Sequence, residues 1–211
     1  MTGKYLYGII PIKEERNFGD IGLEGKKVYN ILYKDISSVV SDSQILEYEL
    51  IESNIRAHEA VLRRVMEEYT LVPAEFGTVI YDDEILTRLM RRGYSSMREC
   101  LRLVDGVVEL GLKVVSRRGE HKEPSSFPLE EMIESLRKIS EQSLSGELFS
   151  NRLLVNRSFL VKKGNVDSFS DEVTRLIESY PQLKFLYSGP WAPYNFVHIK
   201  IGKDGLELVK P

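Results

Sequence analysis

The sequence contains one cysteine, three histidines and one tryptophan in 211 residues. The single thiol, Cys100, closes no internal disulfide and supplies no cysteine-rich zinc site, which fits a reducing compartment. His58, His121 and His198 are far apart in the chain. With one cysteine they offer no visible nucleophile–base–orienter triad. Positive charge is not in excess: the net charge is −3. Nonspecific nucleic-acid binding needs a basic face to displace counterions, so it is not expected, although a local basic patch is compatible with the total. Long apolar runs are missing too. No stretch approaches the roughly 20 apolar residues that span a bilayer. Residues 1–11 are short, carry Lys4 and end in Pro11, unlike a signal peptide.

What is present is enough for packed cores. Hydrophobic residues make up 42% of the chain, and the charged 29% intersperse both signs, so wholesale disorder is not expected. The length suits two small domains. Residues 4–12 (KYLYGIIPI) are aromatic and β-branched, a buried first strand. Residues 17–27 form a glycine-rich loop, and 28–33 and 36–40 read as strands joined at Lys34-Asp35. Over 50–69, Ile51, Ile55, His58, Leu62, Val65 and Tyr69 recur at helical spacing. Glu52/Arg56 and Glu59/Arg63 line the other side as i,i+4 pairs, a solvated face. Residues 71–81 are extended. Asp82 or Asp83 caps a second helix, which Gly93 interrupts and which Ser96 with Glu99 restarts as a capping box. Over 107–115, Val108, Leu110, Leu112 and Val114 alternate with Glu109 and Lys113, a half-buried strand.

This order predicts an α+β protein. Residues 1–115 form a ferredoxin-like domain, an antiparallel sheet with helices on one face. Residues 116–127 (SRRGEHKEPSSF) are a linker. Residues 128–211 form a smaller α+β domain. In that domain a helix starts at Pro128 with Leu129, Met132, Ile133, Leu136, Ile139 and Leu144 on its apolar face. Strands at 152–161, 183–187, 194–201 and 206–209 flank a helix over 167–180.

Sites of chemistry are weak. Gly19, Gly22, Gly25 and Lys26 miss the spacing of a phosphate loop, and a strand follows. His58-Glu59 begins like a zinc-protease helix, but Leu62 stands where the second histidine belongs. His58 then reads as a core or interface histidine. Asp82-Asp83-Glu84 is accounted for by helix capping. No catalytic residue, metal or cofactor is expected. The loop after Tyr187 is the one unusual segment. Gly189, Pro190, Trp191, Pro193 and Tyr194 join two stiffening prolines to the sole tryptophan, a composition suited to protein recognition. The competing reading, and the favoured one because large aromatics are mostly buried, is that Trp191 plugs the core of the second domain.

Several segments together resemble the gas vesicle protein F/L family. They are KYLYGIIP (4–11), HEAVLRRVM (58–66) leading into LVPAEFGTVI (71–80), LRLVDGVVELGLKVV (101–115), and NRSFLV (156–161) with YSGPWAPYNFV (187–197). The last is the most specific. Glu75 before Phe76-Gly77-Thr78 departs from the basic residue the family often carries there. The resemblance implies an N-terminal ferredoxin-like domain and a smaller α+β C-terminal domain. It also implies a non-enzymatic accessory protein of gas vesicle assembly that contacts the small hydrophobic shell protein and other gas vesicle proteins. Its implied location is cytoplasmic, on the vesicle at its gas-facing side, with no nucleic acid or membrane partner. A ligand-binding regulatory module is the alternative reading of a ferredoxin-like fold.

Overall fold

The structure, a computed structural model, describes residues 3–44, 47–117 and 127–201. The chain divides into two compact units, one holding Met1–Asp105 and the stretch from Phe196 onward, the other Gly106–Asn195. The α+β class expected from the sequence is observed; the boundary and the helix placement differ from expectation.

The first unit contains β1 (Gly3–Ile10), β2 (Asn17–Gly19), β3 (Val28–Tyr33), β4 (Ile36–Ser43), α1 (Glu52–Met66), β5 (Val72–Pro73), β6 (Val79–Ile80) and α2 (Asp83–Leu103). Its sheet runs β2-β3-β4-β1-β5, with β6 also on β1. The helices lie on opposite faces of this sheet. Tyr5 on β1 meets His58 of α1 at 2.9 Å, while its neighbour Lys4 reaches Asp83 of α2 at 3.5 Å. On β4, Ser41 bonds Tyr7, whose ring stacks on His58, whereas Ser38 donates to Met90 of α2. Adjacent strand residues point to opposite faces, as do residues three apart. Cover on both faces explains why β1 is an unbroken apolar run instead of an alternation.

α2 is one continuous helix, capped by the Asp82 carboxylate, which accepts from the Ile85 amide at 2.8 Å. Gly93 does not interrupt it. A Cβ there would lie 2.9 Å from Met97 Cε and 3.3 Å from Ile199 Cγ2. The glycine makes room for residues 197–201, which strap along the helix. Ser96, expected to restart the helix, instead accepts from the Lys200 amide at 2.9 Å and donates to the His198 carbonyl. The strand expected over 194–201 is absent: Tyr194–Phe196 is a 3-10 turn and the strap follows it.

The second unit contains β7 (Val107–Ser116), α3 (Leu129–Arg137), β8 (Gln142–Ser145), β9 (Leu153–Lys162), α4 (Val166–Ser179) and β10 (Leu183–Trp191). This is a βαββαβ order with sheet order β10-β7-β9-β8, all antiparallel, the ferredoxin-like arrangement. That arrangement was expected in residues 1–115 and occurs in the second unit. The boundary near 116–127 is therefore corrected to Gly106. β7 is the inner strand between β9 and β10, and Leu110, Leu112 and Val114 pack with Phe159, Phe169 and Leu136. The helix expected from Pro128 stops at Arg137, and Leu144 belongs to β8. Most of the proposed linker, and the strand expected at 206–209, lie outside the described residues.

Candidate functional site

Both helices of the second unit pack on the same side of its sheet, against Leu110, Val155, Phe159 and Leu112. The other side carries no helix of that unit. Register places Leu144 opposite Ser158, Ser158 opposite Gly111, and Gly111 opposite Ser188, one row across all four strands. The row is shallow because three of its four members, Ser158, Gly111 and Ser188, are small. A Cβ on Gly111 would sit 2.8 Å from Ser188 Oγ. Larger side chains rise on either side: Lys113, Asn156 and Leu186 in one flanking row, Trp191, Glu109 and Leu160 in the other. The result is an open depression of about 640 Å³.

Among the polar side chains of its lining stand three exposed apolar ones. Leu144 is 42% exposed, Leu186 43% and Trp191 37%. Phe149 is exposed as well, and Lys113 Nζ stands 5.5 Å from its ring centroid, a cation–π contact. Glu109 sets the position of the tryptophan loop. Its carboxylate is buried and accepts from the Asn195 amide at 2.9 Å and from the Asn195 side-chain amide. Asn195 also donates to Ser158 Oγ at 3.1 Å. A buried carboxylate held by charge-assisted hydrogen bonds makes a firm anchor for the loop.

The five residues singled out in the sequence divide. Gly189, Pro190 and Trp191 are exposed, Tyr194 is half-buried and Pro193 is buried. Gly189 has φ 114°, a conformation open to glycine, and its peptide to Pro190 is cis. Trp191 does not plug the core. Sequence reasoning missed Leu186, Leu144, Glu109 and Asn195 as parts of this surface. The alternation over β7 separated the face that packs under the helices from the other face. Of the two charged residues only Lys113 is exposed; Glu109 is buried by strands and a loop that the alternation alone did not place beside it.

The other sequence motifs are satisfied locally. Around the glycine-rich loop, the Gly22 amide donates to the Lys26 carbonyl and the Leu23 amide to Tyr7 Oη, so those amides are not available to a phosphate. Asp82 caps α2 and Glu84 pairs with Arg88 at 3.0 Å. His58 is buried; Tyr5 Oη lies 2.9 Å from its Nδ1, and burial lowers its pKa to about 4. Cys100 is buried, and desolvation raises its thiol pKa. Among the described residues no group of three or more His, Cys, Asp or Glu is placed to hold a metal ion. Among the same residues no helix is long and apolar enough to cross a membrane.

The geometry is that of a two-unit α+β protein whose second unit leaves part of one sheet face open. The gas vesicle synthesis protein GvpL/GvpF family matches residues 3–128 and 117–198. Gas vesicle protein F1 of Halobacterium salinarum is 34% identical over 204 residues, 95% of each chain. Gas vesicle protein F of Haloferax mediterranei is 34% identical over 205 residues, again 95% of each. Gas vesicle protein L of a Streptomyces species is 23% identical over 68% of each chain. The crystal structure of GvpF from Anabaena sp. PCC7120 superposes with a TM-score of 0.83 at 22% identity, covering 98% of this chain and all of that one. The chain belongs to the GvpL/GvpF family of gas vesicle proteins.

Proposed function

We propose that this chain is a non-catalytic accessory protein of gas vesicle assembly. It holds the small hydrophobic shell protein, together with other gas vesicle proteins, at the open sheet face of its second unit. The observation that carries this reading is the exposed trio Leu144, Leu186 and Trp191 around a floor of small side chains. An apolar partner segment gains from covering such a rim at about 25 cal/mol per Å². A tryptophan set in a stiff loop loses little entropy when it becomes an anchor. The role places the protein in the cytoplasm and on the vesicle, with its gas-facing surface as the site of contact.

The test is Trp191→Ala combined with Leu186→Ala, assayed by shell-protein pulldown and by rescue of vesicle formation in cells lacking the gene. The expected outcome is a melting temperature close to that of the parent with partner capture weakened by about 2 kcal/mol or more. Unchanged capture and full rescue would overturn the assignment of the surface. Normal vesicle formation in the deletion strain itself would overturn the role.

A further inference from the structure

The two helices of the first unit treat their solvent faces differently. On α1 two of the three arginines are matched: Arg56 pairs with Glu52, and Arg64 with Glu67 at 3.0 Å and Glu68 at 2.6 Å, while Arg63 is exposed without an ion pair among the described residues. α2 is not built this way. Residues 85–103 contain Arg88, Arg91, Arg92, Arg98 and Arg102 against a single acid, Glu99. Arg88, Arg91, Ser95, Arg98 and Arg102 step along the helix by three, four, three and four, and all of them but the half-matched Arg88 and Arg98 are exposed without an ion pair among the described residues. This spacing makes one straight ridge, about 21 Å long at 1.5 Å per residue.

The ridge is built at a cost. Arg88/Arg92 and Arg98/Arg102 are like-charged i,i+4 pairs, which oppose helix formation. It is also held rigid. Asp35 in the turn between β3 and β4 accepts from Tyr94 and pairs with Arg98 at 2.9 Å. Lys34 beside it lies over the Tyr94 ring at 4.3 Å and adds another cation to the edge. In a chain of net charge −3, a pre-positioned line of guanidinium groups is a local exception.

We propose that the solvent face of α2 is a second docking surface, which takes a carboxylate-rich segment of a partner protein. Guanidinium groups bind carboxylates through paired N–H donors, and Arg91 and Arg102 have theirs free of internal acids. The charge of the whole chain opposes long polyanions such as nucleic acid, which need many released counterions. A lipid surface needs apolar side chains beside the cations, and on this ridge Leu103 is the exposed large one. The ridge belongs to the first unit and the open sheet face to the second, so the protein would join two different partners.

The probe is a labelled helical peptide of glutamate and alanine, titrated with the full chain by fluorescence anisotropy. Arg91→Glu with Arg102→Glu tests the ridge. Arg56→Glu with Arg63→Glu on α1 is the control with the same change in net charge. Arg98 is left intact because it pins the turn, and Arg91→Gln with Arg102→Gln serves if the glutamate pair melts early. The expected result is salt-sensitive binding to the parent, weakened about tenfold or more in the α2 variants and kept in the α1 control. No binding to the parent, or equal loss in the control, would overturn the proposal. So would tighter binding to single-stranded DNA or to phosphatidylserine vesicles than to the peptide.

Discussion

His58 is a buried histidine that the fold needs neutral. One ring nitrogen accepts from Tyr5, which itself accepts from the Gly77 amide at 2.9 Å, and the other faces the Ala74 carbonyl, which only accepts. Burial is the main reason its pKa falls from 6.5 to about 4, with the bond to Ala74 opposing the fall. In the unfolded chain the imidazole takes a proton first. The stability it protects is therefore whole above pH 6.5 and drains away as the pH falls toward 4, on the order of 3 kcal/mol in full. Urea unfolding at a series of pH values is expected to show this slope, and His58→Gln to remove it. A flat profile between pH 6.5 and 5 would mean the ring is already charged in the fold. Trp191 is the opposite kind of residue. A core tryptophan truncated to alanine costs about 3–5 kcal/mol. At 37% exposure, Trp191→Ala is expected to cost under about 1 kcal/mol, read by the same urea assay.

Elements differ in how much of their surroundings the sequence reveals. α1, β3 and β4 are local patterns, and their ranges follow from helical spacing and a two-residue turn. α2 was legible at its cap, Asp82, but not at Gly93. A glycine inside a helix reads as a break, and nothing local says that Ile199, over a hundred residues on, needs the space. Gly93→Leu is expected to displace the strap and cost about 1–3 kcal/mol by overpacking, with earlier hydrogen exchange at Lys200. An unchanged melting temperature would show that the strap moves aside freely. β7 was legible as a strand and as to which side meets the helices, though Glu109 on the other side is buried and not in water. Its partners were not, because alternation fixes a strand's faces and says nothing about which strands lie beside it. The open sheet face was hidden for the same reason: Leu144, Gly111, Ser158 and Ser188 come from four separate strands and meet only through register. The apolar run of β1 carried an unread message, that a strand without alternation is covered on both sides.

At the scale of the whole molecule, the division at Gly106 has a direct check. A fragment of residues 106–195 holds every strand and helix of the second sheet, and the Glu109–Asn195 bonds tie its ends together. It is expected to fold alone, with a cooperative thermal transition and dispersed amide resonances. A fragment beginning at residue 117 lacks β7, leaves β9 and β10 without their shared neighbour, and is expected to stay unfolded. If the shorter fragment folds and the longer does not, the division is wrong.

The strap that runs back along α2 also orders events during synthesis. The ribosome releases the second unit whole while the first still lacks residues 196–201, the piece that lies against Gly93 and hydrogen-bonds to Ser96. The N-terminal unit, although made first, is finished last. A nascent chain stalled before Phe196 would present one completed unit and one with a bare helix flank, so that residues 196–201 act as the latch of the first hundred.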